Sequence, residues 1–161
     1  MAAAPIDLDA IPMATHERLM RLAIDEARKN PAFPFGAVIV RQSDEAVVAA
    51  AANRSFDNPT LHGEVAAIND YVARNGHQGW DETILYTTGE PCPMCMSAII
   101  WAGIGGVVWA TSIATLKSVG FHQIDIGSPA VAAAAPHWSG RILGGVLAAE
   151  TDRMFAERRR G

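Results

Sequence analysis

At 161 residues the chain is long enough to bury a core and too short for two ordinary domains. Half of its residues are hydrophobic and 19% are charged, which excludes a disordered chain, and no apolar run approaches the roughly 20 residues that span a bilayer. A net charge of −4 and a pI near 5.7 argue against a nucleic-acid ligand, because phosphate binding leaves a basic footprint.

Residues 1–13 read as a flexible N-terminal arm, interrupted by Pro5 and Pro12; the start MAAAPIDLDAIPMA also lacks the basic region of a secretory signal. Residues 14–161 read as one domain. Thr15 is placed to cap a helix that runs to about Asn30 with Leu19, Leu22, Ala23 and Ala27 inward. Pro31 to Gly36 break it, and the run AVIV that follows reads as a buried strand. A turn at Ser43, Asp44 and Glu45 leads to a second strand, about Ala46 to Asn53, so the pair reads as a hairpin.

After the loop NRSFDNPTL, a helix is expected from His62 to about Asn75, with Val65, Ile68 and Val72 inward and Gly76 as its stop. TILYT (83–87) reads as a third strand, Cys92 to Ala102 as a helix and GGVVWA (105–110) as a fourth strand. Short helices are expected over 113–119 and 129–135, a fifth strand over 141–143, and a last helix over 145–159 with Val146, Leu147, Met154 and Phe155 inward. Strands alternating with helices imply parallel pairing after the hairpin. The fold class is therefore α/β, a three-layer helix/sheet/helix sandwich with a five-stranded mixed sheet.

The chemistry concentrates in residues 62–95. His62 and Glu64 open one helix, and Cys92 and Cys95, the chain's two cysteines, open another. Cysteines three apart on a first helical turn present both sulfurs on one face, and the helix N-terminus favours thiolates there. Pro93 is tolerated in that turn because its missing N–H would have had no partner. One histidine and two cysteines meet the needs of a catalytic zinc that keeps one position open for water, and the carboxylate of Glu64 can move protons. The spacing places the metal between two helix N-termini. Taken singly, the Cys-x-x-Cys pair is also compatible with a redox couple and the His-x-Glu with a solvated cap.

Together, His62-Gly63-Glu64 and Pro91-Cys92-Pro93-Met94-Cys95 resemble the H-x-E and P-C-x-x-C pattern of the zinc-dependent cytidine and nucleobase deaminase superfamily. The resemblance implies that His62, Cys92 and Cys95 hold one Zn2+ per subunit and that Glu64 is the general acid/base. It further implies that Asn53, at the end of the second strand, hydrogen-bonds substrate, and that the Gly63 N–H faces a substrate oxygen. Gly63 stands where alanine is commoner in the family, an exchange expected to be neutral. Phe35 and Trp101 become candidates for the walls that sandwich a flat ring. Glu90 matches the family's E-P-C pattern; taken alone it is a charge favoured by the helix dipole.

The expected activity is hydrolytic deamination of a free nucleobase or nucleoside, of the guanine or cytosine type. The stretch PFGAVIV, with EPCPMC and Ile99-Ile100-Trp101-Ala102, leans toward bacterial guanine deaminases. Those enzymes place an acidic residue shortly after a Gly-Phe pair, whereas Gly120-Phe121 here precede His122 and Gln123, with Asp125 further on. The run GRILGGVLAAETDRMF instead resembles tRNA adenosine deaminases, and Arg153, Arg158, Arg159 and Arg160 add local positive charge. The alternatives are therefore a tRNA adenosine deaminase and a non-catalytic, zinc-stabilised partner subunit. Phe121, His122, Asp125 and Trp138 are the C-terminal candidates for contact with substrate. A homodimer is expected from the resemblance, with no membrane association, and two cysteines committed to a metal fit a reducing cytoplasm.

Overall fold

A computed structural model describes residues 4–158. Its strands are β1 (Gly36–Arg41), β2 (Val47–Ala52), β3 (Thr83–Gly89), β4 (Gly106–Thr111) and β5 (Arg141–Gly144). Its helices are α1 (Met13–Ala27), α2 (Gly63–Asn75), α3 (Pro93–Ala102), α4 (Ile113–Ser118), α5 (Ser128–Ala133) and α6 (Ala148–Ala156).

The sheet is five-stranded and mixed, in the order β2-β1-β3-β4-β5. The hairpin is present, closed where the Arg41 N–H donates to the Ala46 carbonyl. Parallel pairing does not begin directly after it, however. β1 lies between β2 and β3 and is antiparallel to both, so only β3–β4 and β4–β5 are parallel. Strand order decides this: β2 and β3 point the same way, as a strand–helix–strand unit requires, but β1 occupies the place between them.

Alternation along the strands divides the core into two layers. Val38, Val40, Ile84, Tyr86 and Val108 meet Leu19, Met20, Ala23 and Ile24 of α1 on one face. Ala37, Ile39, Leu85 and Val107 meet Ala67 and Tyr71 of α2 and Met96, Ile99 and Ile100 of α3 on the other. β3 is buried along its whole length, which explains why its sequence is a continuous apolar and threonine run instead of an alternating one.

Four local expectations are corrected. α1 starts at Met13 with Pro12 as its cap, and Thr15 lies inside the helix, its N–H donating to the Pro12 carbonyl. The N-terminal arm is packed where it is described: Asp7 caps a short 3-10 turn over Leu8–Ala10, and Ile6 and Leu8 enter the core. Buried His16 fastens that turn, one ring nitrogen bonding the Leu8 carbonyl at 2.8 Å and the other the Tyr86 hydroxyl at 2.9 Å. In α2 the buried residues are Gly63, Glu64, Ala66, Ala67 and Tyr71, whereas Val72 is 45% exposed. The small residues let the helix lie close to the sheet, and Tyr71 reaches across to Trp80, with ring centroids 4.0 Å apart. Finally, α6 starts at Ala148, because Gly145 and Leu147 both adopt positive φ; the expected end of that helix, Arg159, lies outside the described residues, as does Arg160.

Gly36 sets how closely α1 can approach the sheet. A Cβ there would stand 2.3 Å from the Ala23 carbonyl oxygen and 2.4 Å from the Ala27 nitrogen. Gly36→Ala is expected to lower stability by about 1–3 kcal/mol, measured as an earlier midpoint in urea unfolding.

Candidate active site

The site is assembled where α2 and α3 begin. His62 is the cap residue of α2 and Cys92 that of α3, so each precedes a turn whose N–H groups lack helical partners. Cys95, one turn into α3, is fully buried. One ligand atom from each of His62, Cys92 and Cys95 lies within 4.8 Å of the others, and His62 Nδ1 is 3.6 Å from Cys92 Sγ. A tetrahedral zinc with Zn–S of about 2.3 Å and Zn–N of about 2.0–2.1 Å separates such ligands by roughly 3.6 Å. The donor set and its spacing therefore fit zinc.

The protein groups tune one another. Hydrogen bonds from Cys95 and from His62 bring the Cys92 thiol down to about 4 against the cost of burial, while Cys95, donating to Cys92 in a buried place, is pushed well up. His62 is raised, first by its bond to Cys92. Glu64 is 3% exposed, and burial, followed by the charge of Cys92, raises its carboxyl. Thr87 of β3 donates a 3.0 Å hydrogen bond to Glu64 Oε1 and so fixes the carboxyl against the sheet.

A cavity of about 170 Å³ opens above these groups. It is lined by His62, Cys92 and the buried Glu64 and Glu90, together with Phe33, Phe35 and Phe121. Phe35 packs edge-on to Phe121 at 5.2 Å and lies 4.8 Å from the Phe155 ring, so it serves both cavity and core. Asn53, Ser55, His122 and Gln123 supply the remaining polar groups. Asn53 Oδ1 accepts from the Ser55 N–H and hydroxyl at 3.0 and 2.7 Å, and no protein acceptor among the described residues takes the Asn53 amide hydrogens.

Trp101 is not a wall of this cavity. It is 80% exposed and rests against His137, with centroids 5.4 Å apart. Its position on α3 turns it away from the turn that carries the cysteines. Of the C-terminal candidates, Phe121 and His122 line the cavity, while Asp125 is exposed in an ion pair with Lys117. Trp138 donates to the Ile104 carbonyl at 2.9 Å, outside the cavity.

The exchange of Gly63 for alanine is also not neutral. A Cβ would stand 2.9 Å from the Phe35 carbonyl oxygen, because the first turn of α2 lies on the backbone of Phe35 and Gly36. Gly63→Ala is expected to displace His62 and cost about 1–3 kcal/mol, checked by thermal melting together with zinc content. The loop 31–36 was expected to complete the pocket and supplies Phe33, but sequence reasoning missed Thr87, Ser55 and Gln123. Only Ser55 left a signal, an Asn-x-Ser spacing that suits a side-chain-closed turn.

Residues 13–111 match the family of the cytidine and deoxycytidylate deaminase zinc-binding region. The chain is 32% identical to the guanine deaminase of Bacillus subtilis (strain 168), covering 89% of this chain and 94% of that one. It is 37% identical to the tRNA-specific adenosine deaminase of Agrobacterium fabrum, over 57% of this chain and 62% of that one. Among solved structures, a mutant protein in complex with 8-azaguanine superposes with a TM-score of 0.80 at 21% identity, covering 90% of this chain and 86% of that one. With the histidine, glutamate and paired cysteines of the pattern assembled at one cavity, and the match running from α1 through β4, the chain belongs to the cytidine and deoxycytidylate deaminase zinc-binding family.

Proposed function

We propose that the chain deaminates a free nucleobase or nucleoside of the guanine or cytosine type, releasing ammonia. The observation that carries this is the placement of Glu64, buried in the lining of a small aromatic cavity beside three metal ligands. Drug-sized ligands occupy roughly 300–1,000 Å³, and the cavity of about 170 Å³ is scaled to one flat ring. Zinc, when held by His62, Cys92 and Cys95, supplies a water acidic enough to ionise near neutrality. Glu64 takes one proton from water and passes it to a ring nitrogen; it then takes the second proton from the hydroxyl added to the ring carbon and gives it to the amine as the C–N bond breaks. Water oxygen thus replaces the amino group, and ammonia departs. A carboxyl raised by burial suits this two-way traffic, since a group near neutral pKa both accepts and gives protons readily. Phe35 stacks on the ring, the Asn53 amide donates to it, and the Gly63 N–H faces a substrate carbonyl oxygen. Gly63 thereby joins Asn53 in binding substrate.

Resemblance to the Bacillus subtilis enzyme over almost its whole length supports guanine as the first base to try. The test is an ammonia assay over guanine, cytosine, adenine and their nucleosides, run beside an inosine assay on transfer RNA. Turnover of a free base supports the proposal, and activity confined to the RNA overturns it. The tRNA alternative draws on the Agrobacterium relative. Against it, Arg158 of the basic C-terminal stretch lies over the Phe121 ring and donates to the Val119 carbonyl, which engages its guanidinium with the cavity wall. The non-catalytic partner reading is weakened by the presence of Glu64.

Asn53→Ala is expected to raise KM about tenfold with a smaller change in kcat, since it removes a contact made before and during the reaction. Steady-state kinetics on the best base reads this directly. The proposal extends to one zinc per subunit, a cytoplasmic setting and a homodimer. Among the described residues no helix is long and apolar enough to cross a membrane. The exposed Trp101 and Val72 on α3 and α2 supply apolar surface for a second copy, and light scattering at micromolar concentration tests the dimer.

A further inference from the structure

We infer that Glu90 is a positioning residue that holds the outer wall of the cavity in register with the metal-ligand helix. It stands between β3 and α3, two residues before Cys92, and is 8% exposed. Its Oε1 accepts from the Ile113 N–H at 2.9 Å. Its Oε2 accepts from the Ser128 N–H at 2.8 Å and from the Ser128 hydroxyl at 3.0 Å. Ile113 opens α4 and Ser128 opens α5. One carboxylate therefore ties down both ends of residues 113–128, the segment that delivers Phe121, His122 and Gln123 to the cavity.

The rest of that segment is held by side-chain packing, with Leu116 and Phe121 clustered against Phe35 and Phe155, and by no strand pairing. Residues 119–127 belong to no strand, and the Lys117–Asp125 ion pair joins two side chains of the segment to each other, with Asp125 77% exposed. Arg158 holds the middle through the Val119 carbonyl and the Phe121 ring. Bonds to an ionised carboxylate are about twice as strong as neutral ones, and three of them converge on Glu90. Both carboxylate oxygens are thus engaged by protein donors, which suits Glu90 to holding the wall and leaves the proton traffic to Glu64. Gly127 allows the close approach, since a Cβ there would stand 3.3 Å from Glu90 Oε2.

The test compares Ser128→Ala, Glu90→Gln and Glu90→Ala with the wild-type holoenzyme. Its kinetic arm rests on the deaminase reading above; its second arm, hydrogen exchange of peptides spanning 119–127, does not. Ser128→Ala removes one hydroxyl donor, Glu90→Gln turns an N–H against one of the two backbone N–H donors, and Glu90→Ala releases both anchors. Exchange over 119–127 should quicken in that order, with the β3 and α3 peptides and the zinc content unchanged. KM should rise in the same order, about tenfold or more for Glu90→Ala, with kcat changing less. Unaltered exchange over 119–127 in Glu90→Ala would overturn the inference. So would a loss of kcat at constant KM in Glu90→Gln, which would make Glu90 a participant in the chemistry. If the wild type released no ammonia from any base while exchange still followed the order, the substrate reading would fail and the role of Glu90 would stand.

Discussion

Glu64→Ala should lose ammonia-releasing activity by about 10²–10⁴-fold or more while keeping its zinc and its fold. Two carboxyls line the cavity, each buried and two residues from a metal ligand, and Glu64 is the one held by the Thr87 hydroxyl. Glu90, the other carboxylate there, is engaged by three protein donors. Removing Glu64 also removes a buried acid whose charged form is disfavoured by its surroundings, so stability should hold or rise slightly. Glu64→Gln is the sharper control: the amide oxygen can keep the 3.0 Å bond from Thr87, yet the group cannot carry a proton. Ammonia assays beside metal analysis and thermal melts decide the matter. Activity that survives either substitution would transfer the proton traffic to another group.

Cys95→Ala should abolish metal binding, and the chelated wild-type protein should behave like it. The Cys95 side chain is fully buried, so its loss leaves two ligands and a void where the third sulfur stood. Zinc per chain is expected to fall from about one to near zero, with activity following. Stability should drop as well, because a metal that binds only the folded chain contributes about 3–4 kcal/mol when it is present at roughly 10²–10³ times its Kd. Metal analysis and melting curves, with and without added zinc, measure both effects. A Cys95→Ala protein that retains full zinc and full turnover would remove Cys95 from the ligand set.

Local patterns were well legible in the sequence. The strands stood out because β1, β3 and β4 are buried on both faces and read as short apolar runs, and the metal ligands stood out because helix starts and cysteine spacing leave strong marks. What depends on distant partners was not legible. Nothing in AVIV or TILYT reveals that β1 lies between β2 and β3 and opposes both. The inward face of α2 was read only in part: Ile68 packs on the core as expected, but the small Ala66 and Ala67 are buried where closeness matters, and Val72 faces out. Trp101 was assigned to a cavity wall because the resembled guanine deaminases carry an aromatic at the matching position of this helix, whereas here it lies at the surface. The span from Glu90 to Ser128, 38 residues apart, left no local trace.

The fastening of the first turn by His16 bears on how this chain can be handled. A version trimmed to begin at Met13 would strip Ile6 and Leu8 from the start of β4, where they cover Gly105 and Gly106. It would also leave an imidazole nitrogen at the sheet without the Leu8 carbonyl it bonds. The newly bared apolar strip lies on the face opposite α2 and α3, far from the ligand cysteines in the layering. Such a shortened protein would therefore betray itself first by clumping on storage or warming, with its chemistry initially intact.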